Sequence, residues 1–292
     1  PFVAGGFKAI GFDPAVNVAE IANRDGVPTQ ARFWNPETAR AAVAEHGPAD
    51  FIFARNVVPH VSELHDVVSA LAQALSEKGV GAIEFHYTAS ILGQLQYDSV
   101  YHEHLCYFSV ASLSRLLSRH GLHPFDAQAS PISGGACVLY FSRQERAPSA
   151  NLEKYREQEK TSLLNDKGAW LKFAERCQAH RVKAREMFQK GKKIIGFGAS
   201  ARSSTFLNFC GFTKADLPAV IDNNKLKWKH FTPGSSIAIV PIEEGLALQP
   251  DQIFVLAWNF KDEVIRECRS RGYRGSFLVP FPNEPYRVAD AA

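Results

Sequence analysis

The sequence has few of the residues and segments that mark several common protein classes. Its 292 residues include five cysteines, and no two of them form a C-x-x-C pair, so neither a disulfide framework nor a cysteine zinc site is indicated. No apolar run approaches the roughly 20 residues of a membrane-spanning helix, and no signal peptide is visible. Lysine and arginine total 33 against 30 aspartates and glutamates, which gives a formal net charge of +3 without a basic stripe. We therefore expect a cytoplasmic protein with a small-molecule substrate and no nucleic-acid or membrane partner.

What the sequence does contain is a regular alternation of strand and helix patterns. At about 150 residues per domain, its length predicts two domains. In the first half, short apolar runs between turn residues predict strands, and apolar residues repeating near every 3.6 positions predict helices. The predicted strands are Lys8–Phe12, Ala49–Arg55, Val80–His86 and Ala136–Phe141, and the predicted helices are Val16–Arg24, Glu37–Glu45, Glu63–Glu77 and Val110–Arg119. This alternation is typical of an α/β fold with a mostly parallel sheet.

The second half begins with charged helices and continues as a second α/β unit. Residues 151–190 are rich in charged residues and glutamine with spaced apolar residues, which predicts one or two long helices. Strands are then predicted at Lys192–Phe197, Ala219–Asp222, Ile237–Pro241 and Gln252–Trp258, with helices at 198–210 and Asp262–Arg271. We therefore predict an α/β domain over residues 1–145, a helical connector over 146–190 and a second α/β domain over 191–292.

Two polar residues of the first domain directly follow predicted strands. Asp13 comes after the first strand, and Asn56 comes after the second. Ligands bind at the carboxyl ends of strands in open α/β sheets, and an acidic residue there can accept hydrogen bonds from two ribose hydroxyls. A purely structural role is also open, since Asp13 suits a helix N-cap and Asn56 suits an ordinary turn.

Four titratable residues stand together at Tyr101-His102-Glu103-His104. Histidine transfers protons near neutral pH because its unperturbed pKa is about 6.5, and neighbouring Glu and Tyr side chains can orient it or polarise a carbonyl. His102 and His104 would share one face of a strand, which is compatible with a metal site. Because the spacing provides no third or fourth ligand, we expect no metal here.

A glycine-rich turn opens a helix in the second domain, at residues 196–202 with the sequence Gly-Phe-Gly-Ala-Ser-Ala-Arg. Backbone N–H groups in such a turn can bind a phosphate, and Arg202 could add a bidentate contact. Asp222 ends the next strand, so a nicotinamide dinucleotide site is one interpretation, and close helix–strand packing without a ligand is another. Asn259 follows a later strand of the same unit and could line the same cleft.

Taken together, these motifs resemble the S-adenosylmethionine-dependent sugar C-methyltransferases that act on nucleotide-linked keto-deoxysugars. The resemblance runs over almost the whole chain, and its motifs occur in the family's order. The most specific of them is the YHEH stretch. The matching segments are Gly11–Pro14, Ala54–Val61, Tyr97–Ser109, 196–202, Leu207–Phe212, Val220–Asn224, Thr232–Ile237 and Leu256–Phe260.

The resemblance implies a class I methyltransferase (Rossmann-like) domain followed by a second Rossmann-like α/β domain, with S-adenosylmethionine as cofactor. His104 would be the general base, with Glu103 and Tyr101 orienting it or stabilising an enolate. Asp13 and Asn56 would bind the cofactor. The residues implied for the sugar nucleotide are Ser200, Arg202 and Asn259.

The sequence departs from the family pattern at its start. The cysteine-rich zinc-binding part of the family is absent, and so are the first strand and the glycine loop that bind the methionine part of the cofactor. Because that strand lies in the middle of the sheet, we expect the natural protein to continue upstream of Pro1.

Three other functions stay open at this point. The chain could be an NAD-dependent oxidoreductase that uses the 196–202 loop and Asp222. It could also be an O- or N-methyltransferase with the same cofactor, or a non-catalytic nucleotide-binding module. The oligomeric state cannot be predicted from the sequence.

Overall fold

The computed structural model describes residues 2–288, apart from the side chain at position 133, and divides them into two compact units. Unit 1 comprises residues 2–85, Leu105–Ser130 and Cys137–Glu159. Unit 2 comprises His86–His104, Pro131–Ala136 and residues 160–288. The domain boundaries predicted at residues 145 and 190 stay a prediction.

Strands and helices alternate along most of the chain. The strands are β1 (Gly11–Phe12), β2 (Thr29–Gln30), β3 (Ala49–Arg55), β4 (Leu75–His86), β5 (His123–Ser130), β6 (Ala136–Ser142), β7 (Ile194–Phe197), β8 (Ala219–Ile221), β9 (Ala238–Val240), β10 (Gln252–Val255), β11 (Ser276–Val279) and β12 (Tyr286–Val288). The helices are α1 (Val16–Arg24), α2 (Pro36–His46), α3 (Leu64–Ala74), α4 (Thr88–Gly93), α5 (Val110–Ser118), α6 (Ala150–Thr161), α7 (Lys167–Glu186), α8 (Ala201–Cys210), α9 (Ile242–Ala247) and α10 (Lys261–Ser270). Within residues 2–288, no helix has both the length and the apolar character that crossing a membrane requires.

Unit 1 contains two parallel strand pairs, β1–β2 and β3–β4. Strands β1 and β2 pair in a small sheet of their own, and β3 pairs with β4 in a four-stranded sheet of order β3-β4-β6-β5. Parallel neighbours need a crossover connection, which α3 provides between β3 and β4. Small residues allow this helix to pack closely, because Ala70 and Ala74 of α3 meet Ala39 of α2 in a buried cluster with Trp34 and Ile52.

Unit 2 is a doubly wound sheet of order β12-β11-β10-β7-β8-β9. Its strands are parallel except for β12, which pairs antiparallel with β11. The chain leaves β7 toward β8 and β9 on one side and later adds β10 and β11 on the other, so the strand order reverses at β7. Ligands bind at such a reversal, outside the carboxyl ends of the strands. The loops that follow β7 and β10 lie at this position.

Most predicted elements are confirmed, with differences at their ends. The helix predicted over Glu63–Glu77 is wrong at its C-terminus, since α3 stops at Ala74 and Leu75 already begins β4. Leu75 fits the helical period, but its backbone pairs with Ala49 of β3, and this sheet pairing overrides the local pattern. Four strands, β2, β5, β11 and β12, were not predicted from the sequence.

The N-terminus of α5 is closed by a carboxylate from α6. Glu159, only 3% exposed, accepts hydrogen bonds from the backbone N–H groups of Val110 (2.6 Å) and Ala111 (2.9 Å). The Ser109 hydroxyl accepts the next N–H, that of Ser112, at 3.0 Å. The first three N–H groups of the helix, which have no partner within the helix, are therefore all satisfied, and the negative charge complements the helix dipole.

We predict that Glu159→Gln lowers the free energy of unfolding by about 1–3 kcal/mol, because an amide cannot replace a charged acceptor of two N–H groups. The measurement is urea unfolding followed by circular dichroism. The matched control is Glu153→Gln on the same helix, which removes only an exposed pair with Arg156 and should cost no more than about 0.5 kcal/mol. Equal effects of the two variants would contradict this account of the α5 N-terminus.

Candidate active site

The loop that carries the YHEH motif is held in unit 2 by a buried carboxylate. Asp98 lies in a 3₁₀ turn, Tyr97–Ser99, and is 1% exposed. Arg202, in the first turn of α8, donates to it through Nε (to Oδ2, 2.9 Å) and Nη2 (to Oδ1, 2.9 Å). The indole Nε1 of Trp258 donates to Oδ2 at 2.8 Å. The buried carboxylate thus accepts three hydrogen bonds, two of them from the same guanidinium, which offsets the cost of burying its charge. These bonds attach the loop to α8 and to Trp258.

The residue before Asp98 anchors the loop a second time. The Tyr97 hydroxyl lies 2.8 Å from Nδ1 of His180, whose Nε2 lies 2.7 Å from the backbone oxygen of Pro280. A carbonyl only accepts, so His180 Nε2 carries the proton and Nδ1 accepts from the tyrosine. Burial raises the pKa of Tyr97, which keeps the hydroxyl protonated as a donor.

The histidine of the motif is held in one tautomer. Nδ1 of His104 lies 2.8 Å from the backbone oxygen of Ser99. Because that oxygen can only accept, Nδ1 carries the proton and the lone pair of the neutral ring is on Nε2. The Tyr101 hydroxyl lies 3.1 Å from Nε2 and donates to it. The arrangement is that of a proton acceptor whose other nitrogen is oriented by a third group, as in nucleophile–base–orienter sites.

The other two residues of the motif lie on the same loop. His102 and Glu103 are exposed in a turn, while Tyr101 and His104 are partly buried with their ring centroids 4.2 Å apart. The expectation that His102 and His104 share one face of a strand is wrong, because residues 101–104 form a bend and a turn rather than a strand. The structure therefore brings Tyr101 and His104 into direct contact and leaves Glu103 at the surface beside them.

The structure places Arg202 differently from the expected diphosphate contact. Its Nε and Nη2 groups both donate to Asp98, so the Nε–Nη2 face of the guanidinium is occupied by the carboxylate. Sequence reasoning missed Asp98 and Ser99, the two residues that hold Arg202 and His104. The pairing of Asp98 with Arg202 spans 104 positions, and the contact of Ser99 is made by a backbone atom, so neither leaves a local signal.

The glycines of the 196–202 turn are explained by close packing. A Cβ at Gly196 would lie 2.8 Å from Cγ2 of Val220, and one at Gly198 would lie 2.5 Å from Cβ of Ala257. Gly198 also has a φ of +102°, which disfavours any side chain. Ser200 caps α8 by accepting from the Ser203 N–H at 3.1 Å. These observations favour the packing interpretation of the glycines over a phosphate-binding one.

Asp222 is engaged within the protein. Its Oδ2 accepts from the Ala199 N–H at 2.8 Å and from Nζ of Lys227 at 3.1 Å, and its Oδ1 accepts from the Asn224 N–H at 2.8 Å. These bonds give the carboxylate a structural role in holding the glycine turn. They favour the packing interpretation over an oxidoreductase in which Asp222 would bind the adenosine ribose of the dinucleotide. Ser200 and Asn259 are exposed near the strand ends of this sheet.

In unit 1, Asp13 and Asn56 lie at the carboxyl ends of β1 and β3. The Asp13 Oδ1 accepts from the Ala15 N–H at 2.8 Å, and Oδ2 has no hydrogen bond with a described residue. Asn56 has a φ of +50°, and its N–H donates to the backbone oxygen of Glu84 at 3.0 Å. Glu84 is itself buried and bound by Nε of Arg55 at 2.8 Å. A carboxylate oxygen without a partner among the described residues can accept hydrogen bonds from ribose hydroxyls. S-adenosylmethionine contains such a ribose, so Asp13 fits this cofactor.

We predict that Asp98→Ala lowers the free energy of unfolding by about 3 kcal/mol, because it leaves the Arg202 guanidinium without its buried counter-charge. Chemical denaturation monitored by tryptophan fluorescence measures it, and Trp258 reports the same site. Glu284→Ala removes an exposed pair with Lys183 and serves as the control, with an expected loss below about 1 kcal/mol. A loss in Asp98→Ala no larger than in the control would contradict the anchoring role.

Comparison with known proteins agrees with these features. Residues 131–282 match the family described as the C-methyltransferase C-terminal domain, and residues 1–125 match the family described as a methyltransferase domain. The C-methyltransferase NovU of Streptomyces niveus is 30% identical over 304 residues, which cover 99% of this chain and 70% of that protein.

Two solved structures with partial similarity are described as S-adenosylmethionine-dependent methyltransferases. One from Anabaena variabilis is 15% identical with a TM-score of 0.39, covering 49% of this chain and 71% of its own. One from Thermotoga maritima is 20% identical with a TM-score of 0.37, covering 49% of this chain and 75% of its own. The family matches confirm the predicted fold class, activity and cofactor. The chain belongs to the C-methyltransferase family and is an S-adenosylmethionine-dependent methyltransferase with a class I, Rossmann-like domain followed by a second Rossmann-like α/β domain.

Proposed function

We propose that this enzyme methylates a carbon next to the ketone of a nucleotide-diphosphate keto-deoxysugar, after His104 has removed a proton from that carbon. The observation that carries the proposal is the tautomer of His104. Its Nδ1–H is bound by the Ser99 carbonyl, so the basic nitrogen is Nε2, which the Tyr101 hydroxyl contacts. A carbon acceptor has no lone pair of its own, so a C-methyltransferase needs such a base, whereas an O- or N-methyltransferase depends on it less.

The proton transfer follows from these contacts. Nε2 of His104 takes the proton, the C–H electron pair becomes the C=C bond of an enolate, and the negative charge moves to the former carbonyl oxygen. The Tyr101 hydroxyl, which donates to Nε2 in the free enzyme, would turn to this oxygen and stabilise it. The Ser99 carbonyl keeps its bond to Nδ1–H and stabilises the imidazolium that forms. Glu103, exposed beside His104, would add a favourable negative charge.

When bound, S-adenosylmethionine would supply a sulfonium methyl group that the enolate carbon can attack, with S-adenosylhomocysteine as the leaving group. We propose that Asp13 holds its ribose through the open Oδ2 and that Asn56 lies near the same nucleoside. The backbone N–H of Asn56 is bound to the Glu84 carbonyl, which fixes the position from which the Asn56 side chain extends.

For the sugar nucleotide, the supporting feature is the reversal of strand order in unit 2. Ser200 and Asn259 are exposed near the ends of β7 and β10, and α8 begins next to Ser200. A helix N-terminus favours a diphosphate, and a seryl hydroxyl can donate to it. Arg202 contributes its charge and holds the loop, since Asp98 occupies the Nε–Nη2 face of its guanidinium.

We predict that His104→Gln slows proton exchange next to the substrate ketone by about 10²–10⁴-fold, because glutamine fills the place of the ring without a base. The measurement is deuterium incorporation from D₂O into thymidine diphosphate-4-keto-6-deoxyglucose, followed by proton NMR without a methyl donor. His102→Gln, on the exposed neighbour, is the matched control and should exchange at the wild-type rate. Wild-type exchange in His104→Gln would disprove the base assignment.

We predict that Asp13→Asn weakens binding of S-adenosylhomocysteine by about tenfold or more, since a charged acceptor of hydroxyl hydrogen bonds is lost. Asparagine can still accept from the Ala15 N–H, so the turn itself is kept. Titration calorimetry measures the change, and Asp25→Asn at the exposed end of α1 should bind as the wild type does. Unchanged affinity in Asp13→Asn would remove Asp13 from the cofactor site.

A further inference from the structure

A second histidine of unit 2, His86, is buried at the carboxyl end of β4 and has no role in the proposed mechanism. It is 8% exposed, and its Nε2 lies 2.6 Å from Oε1 of Gln96. Gln96 is fully buried, and its amide nitrogen donates to the backbone oxygen of Gly134 at 2.7 Å and to Oε1 of Gln94 at 2.7 Å. The glutamine is therefore held at every polar atom of its side chain.

These contacts determine the tautomer of His86. The Gly134 oxygen can only accept, which fixes the orientation of the Gln96 amide with its nitrogen toward Gly134. The Gln96 oxygen then faces His86 and accepts, so Nε2 carries the ring proton. The lone pair of His86 is on Nδ1, which makes no hydrogen bond with a described residue. The residue keeps 8% of its surface exposed, so it is not fully enclosed.

Gln96 joins this histidine to the catalytic loop. Its backbone oxygen accepts from the Ser99 N–H at 3.1 Å and from the Ser99 hydroxyl at 2.6 Å. Ser99 in turn accepts from Nδ1 of His104 through its own carbonyl. One buried glutamine thus fixes His86 directly and His104 through Ser99. The two rings present their lone pairs on different nitrogens, Nδ1 in His86 and Nε2 in His104.

The surroundings keep His86 neutral. Burial, then the positive charge of Arg202 and to a smaller extent the His104 ring lower the pKa of His86, whereas Gln96 and Asp98 raise it, and the net pKa is about 4. Above that pH the ring is uncharged, so Nδ1 stays a hydrogen-bond acceptor over the range in which a histidine base works. An acceptor lone pair repels phosphate oxygens and requires a donor, and the donors of a sugar are its hydroxyl groups.

We propose that His86 is a specificity-determining residue that accepts a hydrogen bond from a hydroxyl of the sugar through Nδ1, with Gln96 as the positioning residue that fixes its tautomer. This inference rests on the proposed sugar-nucleotide substrate. It implies selectivity for a sugar that carries this hydroxyl, because a polar group built to bind a hydroxyl is left unpaired by the analogue that lacks it.

Two substitutions at His86 separate this role from a structural one. In His86→Gln the amide nitrogen takes the place of Nε2 and keeps the bond to Gln96, but the acceptor at Nδ1 is lost. In His86→Asn the amide oxygen takes the place of Nδ1, and the bond to Gln96 is lost. The probe is thymidine diphosphate-4-keto-6-deoxyglucose, with its Kd measured by calorimetry and its KM by methylation.

We expect His86→Gln to raise Kd and KM by about tenfold or more and His86→Asn to raise them by less than about threefold. The opposite order would show that the bond to Gln96 matters and the acceptor does not, and equal effects of the two variants would also overturn the proposal. Thermal unfolding of both variants is measured as well, to compare their stability with that of the wild type.

A measurement on the wild-type enzyme keeps the test independent of variant folding. The 2-deoxy and 3-deoxy analogues of the probe each lack one hydroxyl. One of the two should bind the wild-type enzyme about tenfold or more weakly than the parent does. That analogue should bind His86→Gln with the same affinity as the wild type, because the hydrogen bond is already missing. Equal binding of both analogues and the parent would overturn the inference while leaving the proposed function standing. Failure of the wild type to bind the parent probe would overturn both, and unchanged proton exchange in His104→Gln would overturn the proposed mechanism alone.

Discussion

The burial of the Asp98 carboxylate is the constraint on which the catalytic loop depends. An ionised carboxylate that is 1% exposed is tolerated only with full hydrogen bonding and a counter-charge, which here come from Arg202 and Trp258. The Arg202 guanidinium also lies 5.1 Å from the Trp258 ring centroid, so the three groups support one another. These contacts therefore fix the position of the chain around Asp98 relative to α8 and Trp258.

The same contacts place one backbone carbonyl beside His104, the proposed base. Ser99 follows Asp98 directly, its N–H and hydroxyl are held by Gln96, and its carbonyl receives Nδ1–H of His104. A base whose tautomer and orientation are set before the substrate arrives does not need to reorganise during the proton transfer. In the proposed mechanism the group that orients the histidine is a backbone carbonyl rather than a carboxylate, so it orients the ring without adding a charge.

The sequence predicted the α/β alternation well, because periodicity and turn residues are local properties. Helix α1 matches its predicted range, and the charged segment after residue 150 forms two helices. The cluster of Tyr101 and His104 was also recognised, since its density of titratable groups is visible along the chain. The sequence pattern missed contacts between distant residues, such as the pairing of Asp98 with Arg202. The bonds that Arg202 and Asp222 make within the protein were also not predicted, because a sequence does not show which polar groups are already bound to each other.

The most direct test of this account is the tautomer of His104 in the free enzyme. Two-dimensional ¹⁵N–¹H NMR of the histidine ring nitrogens distinguishes a protonated Nδ1 from a protonated Nε2, and the loss of signals in His104→Gln assigns the ring. The account predicts that the neutral ring is protonated on Nδ1 and bare on Nε2. A proton on Nε2 in the neutral ring would contradict it, because the Ser99 carbonyl would then not orient the base and Nε2 could not accept the substrate proton.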